Sequence, residues 1–501
     1  MNTRPIKEED IPHVINLFRA NYGDDYAIPE FYDPQWVKRG IYSDNIIWLV
    51  IEDEGKIVAS GACILNFGDY NDQIGEIGRL VVDPQVGGKG LGRAMLAALV
   101  DASDDRVEFA FGEARTTHIK TQKIFDRVGL MPLGFLPMYY LMGWRESWVL
   151  SGQLFGNGRR LRRIGKAEVI PAVAPLAQLS MKNLELDEPF TVRADARAYP
   201  MDHALHVEPL SGVSLVRILQ IEHGRLIEPE VFGSMHIDQG MPQLQSKRAH
   251  YMVASEGERT LGAVGYHVEE HDGNVRITEL IAQDDSVKGG LLRLAVEKAE
   301  SEIEANLIEI DVSAYSPRIQ QTLFEMGFLP TAYVPGMVFH NTHRWDVVKM
   351  AKINLPWDLG KIELTEPSQK YFDLVSPAFQ RAADSRARKR PAASATVLRG
   401  LTPLEIEFFH RECVESTPAP NTMLEASSLH IVIEGTVKTK NETQGAGSAV
   451  GASALLGGES VSATTGENAR VLTLNANGLT KLGEHHPRLA VKLYKNFAAA
   501  R

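Results

Sequence analysis

One stretch constrains the fold more than any other: Leu80-Val-Val-Asp-Pro-Gln-Val-Gly-Gly-Lys-Gly-Leu-Gly-Arg-Ala-Met-Leu96. It begins as an apolar strand and passes through Asp83-Pro84. It then breaks into Gly87, Gly88, Gly90 and Gly92 and leaves as a helix to about Val100. A strand that opens through glycines into a helix start is suited to holding phosphate. Lacking Cβ atoms, the backbone N–H groups approach an anion closely, and the partial positive charge of the helix N-terminus favours it. Two familiar phosphate loops do not fit. A P-loop requires Gly-Lys-Ser/Thr, and here Lys89 is followed by Gly90. The dinucleotide loop requires a βαβ continuation with an acid about 20 residues on, and no convincing one follows. The residues alone leave open a purely structural glycine-rich turn.

The stretch resembles the pyrophosphate loop of the GNAT superfamily of acyl-CoA-dependent acyltransferases. That family reads strand, V-x-P, Arg/Gln-x-x-Gly-x-Gly/Ala, then helix. Val82-Asp-Pro84 and Gly88-Lys-Gly-Leu-Gly92 match position by position, while Gly87 stands where the family usually has Arg or Gln. The resemblance implies acetyl-CoA or another acyl-CoA as cosubstrate, with no metal. Its implied holders are Leu80, Val81 and Val82 at the strand end, then Gly87, Gly88, Lys89, Gly90, Leu91, Gly92 and Arg93.

The flanking pattern extends the resemblance over residues 1–150. Ile11, Val14, Ile15, Leu17 and Phe18 have helical spacing; Ile46–Ile51 and Lys56–Phe67 read as a hairpin about Glu54-Gly55. Gly75–Val82 and Arg106–Ala114 read as strands, Thr116–Val128 as a helix stopped by Gly129, and Phe135–Met142 as the last strand. Transfer of an acyl group to an amine requires a neutral nitrogen, so a carboxylate that accepts its proton is needed. By resemblance, Glu76 on the strand before the loop is the general base; its bland reading is a solvated strand residue. Backbone N–H groups of that strand would polarise the thioester carbonyl. The family's leaving-group Tyr is replaced by Phe125, so Tyr139, or Tyr140, is the candidate substitute, with packing aromatics as the alternative. His118 stands where an Asn usually meets CoA, or is an exposed helix residue. Asp24, Tyr26 and Tyr32 lie where acceptors are commonly read.

The same order of elements recurs over residues 165–355. Phe125-Asp-Arg-Val-Gly-Leu-Met-Pro132 parallels Phe324-Glu-Met-Gly-Phe-Leu-Pro330, and Glu279 is expected in the place of Glu76. The second loop, Asp284-Asp-Ser-Val-Lys-Gly-Gly290, has lost the alternating glycines and gained acids that repel pyrophosphate. The basic run Arg159-Arg-Leu-Arg-Arg163 reads as a solvated linker, with a CoA 3′-phosphate contact or an inter-domain ion pair as alternatives. Residues 381–400 read as a second linker.

Residues 396–501 show short strands with Gly turns before a final helix. The Glu434-Gly435 turn, the cassette Gly451–Leu456 and the His486-Pro487 helix start resemble a cyclic-nucleotide-binding domain. Ala452 and Val461 replace its ribose-binding Glu and phosphate-binding Arg, so a β-roll without cyclic nucleotide is expected.

The expected fold class is therefore α/β (α+β): two GNAT-like mixed-sheet domains in tandem, 1–150 and 165–355, the second degenerate, then a β-roll at 396–501. The expected activity is N-acyl transfer, most simply N-acetyl transfer, to a small-molecule amine, protein lysine or N-terminus, with a regulatory tail. The alternative is a non-catalytic acyl-CoA-sensing or partner-binding scaffold. With 501 residues, three domains are reasonable. A formal charge of −11 argues against nucleic-acid or anionic-membrane binding. Two distant cysteines, Cys63 and Cys413, fit a reducing cytoplasm. The polar N-terminus reads as no signal peptide. Homodimerisation or a partner protein through the tail completes the expectations.

Overall fold

The computed structural model describes all residues except 25, 27, 28, 66–73, 87, 88, 164, 188, 189, 203, 204, 226–228, 234–248, 441, 500 and 501. Its first third begins with an edge strand β1 (Asn2–Pro5), then α1 (Ile11–Tyr22) and α2 (Pro34–Ile41). Asp33 caps α2 by accepting from Gln35 N at 2.8 Å, and Pro34 occupies the first position, where no N–H is required. The β-branched runs then form β2 (Ile46–Asp53), β3 (Lys56–Ile64) and β4 (Ile74–Val82). The remaining elements of this part are α3 (Leu91–Ser103), β5 (Phe109–Arg115), α4 (Lys120–Val128), β6 (Met131–Leu141) and β7 (Arg145–Leu154).

The middle third contains β8 (His206–Pro209), α5 (Gly212–Arg225), β9 (Val231–Phe232), β10 (Ala249–Glu256), β11 (Arg259–Glu269) and β12 (Asn274–Ala282). It ends with α6 (Asp285–Ser301), β13 (Leu307–Ser313), α7 (Pro317–Glu325), β14 (Leu329–His340) and β15 (His343–Ile353). Among the described residues, fifteen strands share one sheet, ordered β1-β2-β3-β4-β5-β7-β6-β14-β15-β13-β12-β11-β10-β8, with β9 paired to β13. Each side has one parallel pair, β4 with β5 and β12 with β13, between antiparallel neighbours. The halves meet at Gly134 and Ala332. A Cβ on Gly134 would lie 2.2 Å from that of Ala332, so only glycine allows the strands to close.

Several boundaries depart from the sequence expectations. The last strand of the first part begins at Met131, and a further strand, β7, follows it; α4 starts only at Lys120. The basic run is solvated only at Arg159 and Arg160, and Arg162 makes an ion pair with the second part, the alternative reading of the run. Arg162 is buried against fully buried Asp346, with Nε to Oδ1 at 2.8 Å and Nη2 to Oδ2 at 2.7 Å. Arg163 lies over the rings of Tyr315 and Trp345. Residues 381–393 are not a loose linker either: they end α8 (Glu366–Ala393), which packs on β6 and sets Phe372 against Phe135 at 5.2 Å.

The tail has two small sheets. Val414–Ser416, Arg470–Leu474, Leu429–Glu434 and Ala449–Val450 form one; Thr443–Gln444, Val437–Thr439 and Ala463–Thr465 form the other. Ala452 is buried and Val461 packs into the core between them, so neither position presents charge. Apolar residues as distant as Ile74, Leu307, Phe408 and Leu493 belong to one continuous core.

Candidate active site

The site is set by where β4 and β5 part. They pair only through Ile74–Phe109, Gly75–Ala110 and Glu76–Phe111. Beyond that point β4 pairs with β3 alone and β5 with β7 alone. A slot therefore opens between two central strands, lined by backbone groups that no neighbouring strand takes up.

A β-bulge shapes its rim. Strand alternation would put Glu76 and Arg79 on opposite faces. The register shifts between Ser60 and Ala62, and Arg79 takes φ 50°, a left-handed backbone that re-aims its side chain. Arg79 Nη2 then donates to Glu76 Oε2 at 2.8 Å. Burial pulls the Arg79 pKa down, but the Glu76 carboxylate and the Tyr26 phenol oxygen outweigh it and raise it.

Both side chains line a cavity of about 80 Å³ on the junction of the two halves, room for several waters or a small amine. Glu113 enters it from β5, next to Phe109 and Phe111. Burial, reinforced by the Glu76 carboxylate, raises the Glu113 pKa to about 7, although Tyr140 donates to its Oε2 at 2.9 Å. The far wall comes from the second half. Arg276 donates to Glu309 at 2.7 Å and to the Tyr139 hydroxyl at 2.9 Å, and Lys349 donates to Asp311 at 2.6 Å. Tyr139 in turn donates to Glu309, and burial drives its pKa well above the ordinary value.

The loop helix supplies the second component. No described side chain caps the N-terminus of α3, and Gly90 stands at its N-cap with φ 75°. The first amides of α3, from Leu91 on, thus lack intrahelical acceptors and protein side-chain partners, an arrangement that accepts an anion. A Cβ at Gly90 would meet nothing within 4 Å, whereas one at Gly92 would come 3.3 Å from Ile124, so Gly92 serves the packing of α3 on α4. Lys89 and Arg93 are exposed, Leu91 is buried, and Gly87 and Gly88 lie outside the described residues. Val81 is buried in the α1 core, while Leu80 and Val82 pack partly against α3.

Residues 11–129 match the acetyltransferase (GNAT) family. Among solved structures, the ribosomal-protein-S18-alanine N-acetyltransferase from Escherichia coli is similar at 18% identity, over 31% of this chain and 94% of its own, with a TM-score of 0.26. A GNAT-family acetyltransferase from Streptococcus pneumoniae is similar at 16% identity, over 31% and 99%, with a TM-score of 0.28. A variant spermidine N-acetyltransferase from Vibrio cholerae is similar at 16% identity, over 31% and 94%, with a TM-score of 0.28. A search of curated proteins finds no match.

Within residues 11–129, Glu76 lines the cavity, while other candidates lie elsewhere. His118 is neither exposed nor helical: it precedes α4, half-buried, with Nδ1 buried and unpartnered among the described residues, and burial lowers its pKa. Phe125 is buried under Gly112, a core ring. Tyr32 closes the α1–α2 loop by donating to Gly23 O at 2.9 Å; Asp24 is exposed, 3.5 Å from Arg19. Glu279 does not take the place of Glu76. Counting from the start of each parallel pair, Arg276 does, and Glu279 accepts from Tyr251 at 2.6 Å. Glu113 and Arg79 also line the cavity, and neither is marked by a motif. One signal was there: Glu113 alternates with Phe109 and Phe111, an acid on an otherwise apolar strand face. Among the described residues, no cluster of three or more His, Cys, Asp or Glu could hold a metal, and no helix is long and apolar enough to cross a membrane.

Proposed function

We propose that the chain is an acyl-CoA-dependent N-acyltransferase, most simply an N-acetyltransferase, working at the slot between β4 and β5. One observation carries this reading. The uncapped start of α3 adjoins a parted strand pair that leads to a carboxylate-lined cavity. The residues present suit acyl-CoA. The amides at Gly90–Arg93, with Lys89 and Arg93 alongside, would hold pyrophosphate, as would Gly87 and Gly88 by their place in the loop. The freed backbone of Leu80, Val81 and Val82 would meet the pantetheine arm, with His118 on the far side of the slot. The cosubstrate supplies an activated acyl carbon. The chain orients the amine in the cavity and moves its proton. Glu76, paired with Arg79, is the carboxylate that an ammonium meets first. Tyr139 is the candidate proton source for the departing thiolate.

The second half, 165–355, is proposed to be a GNAT-like copy that no longer binds. Its equivalent slot is filled by the chain itself: β9 pairs with β13 through Val231–Val312 and Phe232–Asp311, and Gly233 lies against the backbone of Thr278. Its equivalent helix, α6, is capped by Asp284, which accepts from Ser286 N at 2.9 Å. The tail at 396–501 is proposed to be a cyclic-nucleotide-binding-like roll without its nucleotide, serving regulation or association.

The engaged hydroxyl of Tyr139 and the phenylalanine at position 125 favour a second reading, an acyl-CoA sensor without turnover. Thiol release from acetyl-CoA over a panel of small amines, lysine peptides and N-terminal peptides separates the two. The enzyme releases thiol with at least one amine, and Glu76→Gln lowers that rate while leaving acetyl-CoA binding intact. Binding without release on every acceptor would make the protein a sensor.

A further inference from the structure

Two carboxylates reach the junction cavity from the adjacent strands, and their surroundings differ. Glu76 is held by Arg79 at 2.8 Å. Glu113, one strand over and past the point of parting, meets a neutral partner, the Tyr140 hydroxyl. The cations on the second-half wall are already engaged: Arg276 with Glu309, and Lys349 with Asp311. The Tyr139 hydroxyl next to them donates to Glu309. Among the described residues Glu113 forms no ion pair, and Arg276 and Lys349, each already paired, offset only part of what burial and the Glu76 carboxylate impose on it.

We propose that Glu113, rather than Glu76, takes the proton from the acceptor ammonium, and that Glu76 with Arg79 fixes the ammonium for the transfer. This rests on the acyltransferase reading above. The division of labour follows from the environments: Glu76 is paired with a cation and Glu113 with a neutral hydroxyl, and carboxyls in unlike surroundings take different roles. A carboxyl titrating near neutrality accepts a proton well at pH 7, because it holds the proton it takes. The step balances. One ammonium proton passes to a Glu113 oxygen, freeing the nitrogen lone pair. The nitrogen forms the C–N bond to the acyl carbon as the C–S bond breaks. A second nitrogen proton leaves with the sulfur as the thiol, and Glu113 returns its own proton to solvent. The cavity's size and the second-half wall select a small, unbranched amine end, whether free or at the tip of a lysine.

The test uses the full chain with acetyl-CoA and two probe amines, propylamine, which is an ammonium at pH 7, and hydroxylamine, which is already neutral there. Glu113→Gln should lower kcat with propylamine about 100-fold and change the hydroxylamine rate less than threefold. It should also remove the acidic limb near pH 7 from the kcat/KM profile. Glu76→Gln should raise KM for propylamine and keep that limb. Tyr140→Phe, which removes a hydrogen bond favouring the ionised form, should move the limb to higher pH. Independently of turnover, infrared difference spectra between pH 6 and 8 should show a protonated-carboxyl band that Glu113→Gln abolishes and Glu113→Asp retains. The proposal is overturned if the band survives Glu113→Gln, or if the limb survives it and is lost in Glu76→Gln. Failure of the wild-type chain to bind acetyl-CoA in a calorimeter would instead overturn the acyltransferase reading, and the infrared result would still decide how Glu113 titrates.

Discussion

Glu113 is an acid on a wall of aromatic rings, and its cost to the fold depends on pH. Its folded-state pKa of about 7 lies above the ordinary 4.5, so the folded chain binds its proton more tightly than the unfolded chain does. Below the unfolded value both states are protonated and nothing is lost. As pH rises through the window from 4.5 to 7 the folded state is progressively penalised, by up to about 3 kcal/mol. Glu113→Gln should therefore match the wild type in thermal melts near pH 4 and melt higher near pH 8. A constant difference at both pH values would mean that the carboxyl is not buried as described. Arg79 contributes differently at the same scale. Its left-handed backbone and the bulge in β4 bring it to Glu76, which strict alternation in the sequence does not suggest.

The elements fit together at few points, and those points are demanding. The two halves of the sheet join through Gly134 opposite Ala332. Gly134→Ala places a methyl group 2.2 Å from another and should cost about 1–3 kcal/mol in denaturant melts; an unchanged midpoint would show that the strands are not in contact there. The strand that enters the loop, the helix that leaves it and the hairpin of β2 and β3 are legible in the sequence, because they rest on local periodicity and glycine chemistry. The failures have non-local causes. β7 starts with the polar Arg145-Glu146-Ser147 and follows closely on the turn at Gly143, so its strand pattern is masked. The basic run looks solvated until Asp346, far along the chain, supplies a buried partner for Arg162. Residues 381–393 are rich in Ala and Arg, good helix formers, yet the prolines Pro377 and Pro391 disguise the helix in which they sit. Glu113 does not stand out in the sequence, because its place in the cavity depends on a wall that comes from the other half.

At the scale of the molecule, one sheet carries two mirrored strand orders of which only one leaves its central slot open. In the first half α3 starts without a side-chain cap, and in the second Asp284 caps α6 while β9 occupies the slot. The account thus centres on a single acyl-CoA site per chain, held by the amides at the start of α3. The most direct measurement is a calorimetric titration of acetyl-CoA into the full chain and into Gly90→Asp, which sets a carboxylate beside the open amides of α3. The account predicts one acetyl-CoA per chain for the wild type and, for Gly90→Asp, binding at least tenfold weaker, roughly 1.4 kcal/mol, than for Gly90→Ala, which carries the same left-handed backbone strain without the charge. Two sites per chain, no binding, or full affinity in Gly90→Asp would contradict it.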